Sequence, residues 1–149
     1  MANVIDGLHL IADGQVPERG IEEAFSKVGL TTLMLDLVKV LDMQLIFGPL
    51  FKKVKLEPAK LTGDVFQDEG GISGICMIGT SHISVHVWPL RRHFSMDVFS
   101  CKSFDEAKAK ATLERHFQPE NVAYTTVKRK QGGRKARRKA PVQLQHAAN

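Results

Sequence analysis

The amino-acid sequence predicts an α+β fold, a two-layer α/β sandwich with helices on one face of a mainly antiparallel sheet. Apolar and polar residues alternate in the middle of the chain, as at Ile83, Val85 and Val87, which is the period of a half-buried strand. Segments on both sides of this region carry the spacing of amphipathic helices. A length of 149 residues is sufficient for one hydrophobic core.

The first part of the chain predicts a strand, a helical region and a second strand. Residues 4–12 favour a strand because Leu8 and Leu10 alternate with His9. Residues 21–43 are predicted to be helical with an interruption at Gly29. Residues 44–51 are again typical of a strand. This order places helices between the first two strands.

The second part continues with a loop, a group of strands, a helix and a last strand. The pattern is lost over residues 56–69, which predicts a loop, and residues 70–101 predict consecutive strands. Ser103 is a candidate cap for a helix that ends near Phe117, with a buried side formed by Ala107, Ala111 and Leu113. Residues 121–127 predict the last strand. Helices on one face leave the other face uncovered, and a homodimer that pairs sheet against sheet would cover it.

Charge is distributed unevenly along the chain. The formal charge is +5, but residues 128–139 hold eight Lys and Arg and no acid, so −3 is left for the remainder once those eight are subtracted. We therefore divide the chain into a domain, residues 1–128, and a basic tail, residues 129–149, that we expect to be disordered. Such a tail could bind nucleic acid through phosphates. Because Tyr124 is the only ring nearby, base stacking is not indicated and a solvated tail is the favoured interpretation.

The composition predicts a cytoplasmic protein that does not enter a membrane. No run approaches the ~20 apolar residues that a membrane-spanning helix needs. Residues 1–14 contain Asp6 and Asp13 rather than the basic and apolar regions of a signal peptide. The two cysteines, Cys76 and Cys101, do not make a disulfide framework and are expected to be thiols.

Three histidines could suggest a zinc site, at His82, His86 and His93. Two residues four positions apart on a strand are separated by about 13 Å, so His82 and His86 cannot bind one ion. No cysteine or carboxylate stands at a ligand spacing from them. We expect no metal site.

The reactive residues of the central region form a combined pattern. Its parts are Ile72-Ser73-Gly74, Ser81-His82, His86-Val87-Trp88-Pro89 and Cys101, preceded near the N-terminus by Gly7-Leu8-His9-Leu10. With these motifs at these spacings the chain resembles the self-cleaving S-adenosylmethionine decarboxylases of the short prokaryotic type, up to about Lys128. A lone Ser-His pair or a lone cysteine would carry little weight, and the specificity lies in the combination.

The resemblance implies that the chain cuts itself between Thr80 and Ser81. The Ser81 hydroxyl would attack the carbonyl of Thr80, the peptide would become an ester, and elimination followed by hydrolysis would leave a pyruvoyl group at residue 81. The resemblance gives His86 the role of base in the elimination and Ser73 that of a hydrogen-bonding partner to the intermediate. Two chains, residues 1–80 and 81–149, would result.

The resemblance also implies the reaction of the mature protein. The pyruvoyl group from Ser81 would take the place of pyridoxal phosphate, form a Schiff base with the substrate amine and accept electrons as carbon dioxide leaves. Cys101 would donate the proton to carbon. The small-molecule substrate would be S-adenosylmethionine, the product would be the aminopropyl donor for spermidine, and the active form would be a homodimer.

Two positions depart from the family pattern. The family usually has Glu before the cleaved serine, where this chain has Thr80, and a ribose-binding Glu after the tryptophan and proline, where it has Leu90. A leucine, expected to be buried there, cannot accept hydrogen bonds from a ribose. Phe66 is the nearest candidate to stack on adenine. A pyruvoyl-dependent decarboxylase of ornithine or arginine is therefore an alternative, as is a relative that stays uncut and binds partners through its basic tail.

Overall fold

The computed structural model describes residues 6–54 and 71–130 of the chain. Its strands are β1 (Asp6–Gln15), β2 (Leu45–Lys53), β3 (Ile72–Ile78), β4 (Ser81–Trp88), β5 (His93–Ser100) and β6 (Asn121–Lys130). Its helices are α1 (Ile21–Ala24), α2 (Lys27–Val40) and α3 (Glu106–Phe117), and a short 3-10 turn covers Pro89–Arg91. None of the helices in these ranges is long and apolar enough to cross a membrane.

The six strands form one sheet in the order β2-β3-β4-β5-β1-β6, and every neighbouring pair is antiparallel. The chain leaves the sheet twice through helices, with α1 and α2 between β1 and β2, and α3 between β5 and β6. As a result β1, from the N-terminal part, lies between β5 and β6. The predicted α+β sandwich with an antiparallel sheet is confirmed.

The core lies between the helices and one face of the sheet. Every second residue is buried there from Ile83 onward in β4 and from Phe94 onward in β5, including Val85 and Met96. The helices contribute their apolar stripes, with Leu30, Leu33, Met34 and Leu37 from α2 and Leu113 and Phe117 from α3. Burial of each such side chain contributes about 1.5–3 kcal/mol.

The opposite face of the sheet has no helix over it within the described ranges, and we call it the open face. It carries the alternate residues of each strand, among them His9, Phe47, Leu50, Ser73, Ile75, Met77, His82, Ser84, His86, Ser95, Asp97 and Phe99. Phe47, Leu50, Ile75 and Met77 are exposed and adjacent on β2 and β3. The open face therefore combines polar, titratable residues in its middle with an apolar patch toward β2.

The helical region divides at a different place from the prediction. It breaks at Phe25 and Ser26, not at Gly29, because the Ser26 hydroxyl accepts a hydrogen bond from the Gly29 amide at 2.9 Å and starts α2. Gly29 lies inside the first turn, where an added Cβ would be 2.2 Å from the Glu23 carbonyl oxygen. The glycine thus permits close packing between the two helices.

The cap of α3 also differs from the prediction. Asp105, and not Ser103, accepts the hydrogen bond from the Lys108 amide at 3.1 Å. The buried residues are Ala109, Thr112, Leu113 and Phe117, while Ala107 and Ala111 are exposed. Strand β6 continues to Lys130, two residues into the segment assigned to the basic tail. Residues 131–149 and the predicted loop 56–69 lie outside the described residues.

Candidate functional site

The turn between β3 and β4 holds the peptide bond that the sequence marks for cleavage. Ser81 is the first residue of β4 and lies opposite Ser100 in the β4–β5 register. The carbonyl oxygen of Thr80 accepts a hydrogen bond from the Cys101 amide at 3.0 Å. On the other side of the turn, the Gly79 amide donates to the Gln44 carbonyl at 2.9 Å. The carbonyl that would be attacked is thus held by a main-chain donor.

A second hydrogen bond fixes the side chain of Thr80. Its hydroxyl lies 2.8 Å from the hydroxyl of Ser100, whose residue is only 1% exposed. The Ser100 oxygen also accepts from the Lys102 amide at 3.0 Å, so its own proton is free to be donated to Thr80. A cavity of about 210 Å³ adjoins this corner and is lined by residues 41–44, 79–80, 100 and 102–103.

The hydroxyl of Ser81 has an imidazole beside it. Its oxygen lies 3.2 Å from Nδ1 of His82. The His82 ring packs edge-on against Phe99 with the ring centroids 5.7 Å apart. Cys101 directly follows β5 and is exposed at the same corner. Ser81, the Thr80 carbonyl, His82 and Cys101 therefore form one cluster, which we call the Ser81 corner.

A second pair of reactive side chains lies at the other end of β4. The Ser73 hydroxyl and Nδ1 of His86 are 2.7 Å apart, and the two residues face each other in the β3–β4 register. The ring of Trp88 stacks on His86 with an interplanar angle of 28°. His86 is five residues from Ser81 along one strand, a distance of about 16 Å. The structure does not bring Ser73 and His86 to Ser81 within one chain.

Comparison with known proteins decides the family. The family model described as S-adenosylmethionine decarboxylase matches residues 9–130, which is most of the chain. The chain belongs to the S-adenosylmethionine decarboxylase family. The resemblance inferred from the motifs is confirmed.

Individual relatives match shorter segments. Over 60 residues, 40% of this chain, it is 32% identical to the S-adenosylmethionine decarboxylase proenzyme of Methanococcus maripaludis and covers 49% of that protein. It is 33% identical over 60 residues to that of Pyrococcus horikoshii, covering 40% of this chain and 43% of the relative. It is 37% identical over 62 residues to that of Clostridium botulinum, covering 41% of this chain and 49% of the relative. The matched segment thus spans about half the length of these curated relatives.

A solved structure shares the fold. The crystal structure of the adenosylmethionine decarboxylase from Aquifex aeolicus superposes with a TM-score of 0.58 at 23% sequence identity. The similarity covers 84% of this chain and 91% of the other.

The two candidate substrate-binding residues have different outcomes. Leu90 lies in the Pro89–Arg91 turn, at the end of β4 that carries His86, and it is 68% exposed. The expectation that it is buried is therefore wrong. The turn points the side chain outward because the strand has already ended at Trp88. Phe66 lies outside the described residues.

Cys76 and His9 lie in structural surroundings. Burial raises the pKa of the Cys76 thiol, which keeps it protonated and suits the interpretation of Cys76 as a core residue. His9 is 2.7 Å from a carboxylate oxygen of Asp97. Within the described ranges no three metal-ligating side chains come together.

Two residues at or beside the Ser81 corner were not assigned a role from the sequence alone: His82, which belongs to it, and Ser100, which bonds to Thr80. His82 was visible as the neighbour of the family's cleaved serine, but adjacency on a strand normally points two side chains to opposite faces. Ser100 could be found only from the β4–β5 register, since twenty residues separate it from Thr80.

Proposed function

We propose that this member of the S-adenosylmethionine decarboxylase family is a proenzyme that cuts itself between Thr80 and Ser81 and then decarboxylates S-adenosylmethionine. The observation that carries the proposal is the hydrogen bond from the Cys101 amide to the Thr80 carbonyl, at the peptide bond that the motif marks. A donor aimed at a carbonyl oxygen stabilises the negative charge that develops when the carbon is attacked. The family match supports this assignment.

The cut proceeds through the side chain of Ser81 and needs only one water in total. The Ser81 oxygen attacks the Thr80 carbonyl carbon, the C–N bond breaks and an ester forms. Removal of the α-proton of residue 81 then breaks the C–O bond, releases the Thr80 carboxylate and leaves a dehydroalanine. Water adds to this group and ammonia leaves, which gives the pyruvoyl end. The products are residues 1–80 with a new carboxylate and residues 81–149 with a ketone.

The corner around residue 81 suits the reaction of the mature protein. The pyruvoyl group supplies an electron sink for decarboxylation of an α-amino acid. Cys101 is exposed and adjoins Ser100, the residue paired with Ser81 across β4 and β5. We propose that its thiol donates a proton to the carbon that loses carbon dioxide.

Ser73 and His86 act in this proposal on the Ser81 corner of a second subunit. The two ends of β4 are about 16 Å apart, too far for His86 to reach the α-proton of residue 81 in its own chain. A homodimer that pairs open face with open face, with its two-fold axis crossing β4 near its middle, would bring the partner's His86 to the open-face side of the residue 81 backbone, where the α-proton is. The exposed apolar patch at Phe47, Leu50, Ile75 and Met77 supports such an interface.

S-adenosylmethionine is the substrate that the family match supports, and the product would serve as the aminopropyl donor for spermidine in the cytoplasm. The Leu90 side chain has no hydrogen-bond acceptor for a ribose, so a side-chain hydrogen bond to the ribose hydroxyls must come from another residue. A basic amino acid is the second substrate class to assay, because it lacks the ribose altogether. Release of carbon dioxide from carboxyl-labelled S-adenosylmethionine, ornithine and arginine separates the two classes.

Denaturing mass spectrometry of the purified protein tests self-cleavage. The expected result is two fragments, residues 1–80 and 81–149, the second lighter by one ammonia than a serine-terminated fragment. A Ser81→Ala variant is the control and is expected to remain whole. A wild-type chain that stays whole through prolonged incubation would overturn the proposal.

A further inference from the structure

The first step of the cut requires a base that the resemblance does not supply. A serine hydroxyl is a weak nucleophile until its proton is taken by a neighbouring group. The base assigned to His86 acts later and on a different atom, the α-carbon of residue 81. The proton on the Ser81 oxygen therefore needs another acceptor.

His82 meets the geometric requirement for that acceptor. Its Nδ1 lies 3.2 Å from the Ser81 oxygen, within the range for a general base and the proton that it removes. The His82 ring packs edge-on against Phe99. The Arg129 guanidinium in turn lies 4.1 Å from the centroid of the Phe99 ring. We infer that His82 is the general base for the attack of Ser81 on the Thr80 carbonyl, an inference that rests on the proposed self-cleavage.

The other described histidines are held away from Ser81 by their own partners. These contacts are His9 with Asp97, His86 with Ser73, His93 with Ser95 and His116 with the Ala24 carbonyl. The Thr80 hydroxyl, which is also close, is engaged by Ser100. His82 is thus the imidazole that the fold places at the attacking oxygen.

The step balances without any external reactant. Nδ1 of His82, with its own proton on Nε2, takes the hydroxyl proton of Ser81. The Ser81 oxygen forms a bond to the Thr80 carbonyl carbon, and the electron pair of the C=O bond moves to the oxygen held by the Cys101 amide. When that pair returns, the C–N bond breaks and the imidazolium gives its proton to the departing amine nitrogen. The products are an ester, a free amine and a neutral His82.

A pulse-chase experiment in a cell-free translation system tests this role. Conversion of the full-length chain is followed for wild type, His82→Ala, His82→Gln and His9→Ala, with and without added imidazole. His9→Ala is the matched control because His9 packs against Phe99 at the same 5.7 Å centroid distance but bonds to Asp97. Neutral hydroxylamine, which cleaves esters, reports whether an ester has accumulated.

The expected result is that both His82 variants convert at least ~100-fold more slowly, the range for loss of a general base. Imidazole should partly restore the rate of His82→Ala, no hydroxylamine-sensitive chain should accumulate, and His9→Ala should convert like wild type. A His82→Ala or His82→Gln chain that converts near the wild-type rate would overturn the inference while the proposed function stands. Slow conversion that imidazole does not improve, or that accumulates ester, would also overturn it. An uncut wild-type chain would remove both proposals together.

Discussion

The separation between Ser81 and His86 leads to a test of whether the site lies within one chain or is shared between two subunits, because the two arrangements predict different results. If each subunit provides Ser81 for one site and His86 for the other, two inactive variants should repair each other. A His86→Ala chain keeps its own Ser81, and a Ser81→Ala chain keeps a working His86. A dimer that contains one chain of each kind holds one complete site, in which the His86→Ala chain is cut.

The size of the effect follows from the arrangement. Co-expression of the two variants in equal amounts with random pairing gives about half mixed dimers in a two-fold assembly. About half of the His86→Ala chains then have a partner with an intact imidazole and should be converted, against essentially none when that variant is expressed alone. Tags of different mass identify the two chains, and denaturing mass spectrometry counts the cut fraction.

Ser73 provides an internal check because it is bonded to His86 and belongs to the same end of β4. A chain that carries Ser73→Ala and His86→Ala together should be repaired by Ser81→Ala as well as the single variant is. Absence of any cut His86→Ala chain in a sample shown to contain mixed dimers would refute the shared site. The distance of about 16 Å between Ser81 and His86 would then have to be closed by a rearrangement within one chain.

Three further predictions concern single positions. Ser100→Ala removes the hydroxyl that holds the Thr80 side chain. We expect the activation free energy of self-cleavage to rise by about 1 kcal/mol, which slows conversion of the full-length chain roughly fivefold in a time course. Burial lowers the pKa of His116 below its ordinary value of 6.5, so between the two pKa values the folded state binds fewer protons than the unfolded chain. The contribution of His116 to the free energy of unfolding should therefore be complete above pH 6.5 and be lost as the pH drops below it. Urea unfolding at several pH values should show a smaller loss in His116→Gln. Gly74→Ala places a Cβ 2.3 Å from the Phe51 ring and should lower the free energy of unfolding by about 1–3 kcal/mol.

Each of these predictions has a control. Ser100→Thr keeps the hydroxyl and should convert faster than the alanine variant; equal rates would contradict the role of the hydrogen bond to Thr80. For His116, parallel acid curves for wild type and the glutamine variant would show that burial of this imidazole is not linked to stability. Gly79→Ala should leave stability nearly unchanged because its added Cβ would lie 3.6 Å from the nearest atom of Gln44. A cost as large as that of Gly74→Ala would contradict the packing argument.

The strand pattern carried most of the prediction of the fold. The period-2 alternation at Ile83, Val85 and Val87 predicted a strand, and all three of these residues are buried in it. The helix boundaries were less predictable. Gly29 is a strong helix breaker in isolation, and only the contact between Ser26 and the Gly29 amide shows why the break comes earlier.

The candidate site was predictable in composition but not in arrangement. The spacing of the motifs selected Ser73, Ser81, His86 and Cys101 as candidates, and their roles remain predictions; spacing alone does not say which of them meet. The rise per residue that argued against a zinc ion between His82 and His86 applies equally to Ser81 and His86, and it predicts their separation. The hydrogen bond between Thr80 and Ser100 depended on the register of β4 with β5, which no local pattern specifies.

The position of β1 determines what happens to the molecule after the proposed cut. Residues 1–80 contribute β1, β2 and β3, and residues 81–149 contribute β4, β5 and β6. Because β1 is hydrogen-bonded to both β5 and β6, and β3 to β4, three of the five strand pairings join one fragment to the other. The strands of the two fragments therefore alternate within one sheet. Cleavage of the backbone after residue 80 would free the new N-terminus at residue 81 while the two fragments stay hydrogen-bonded to each other.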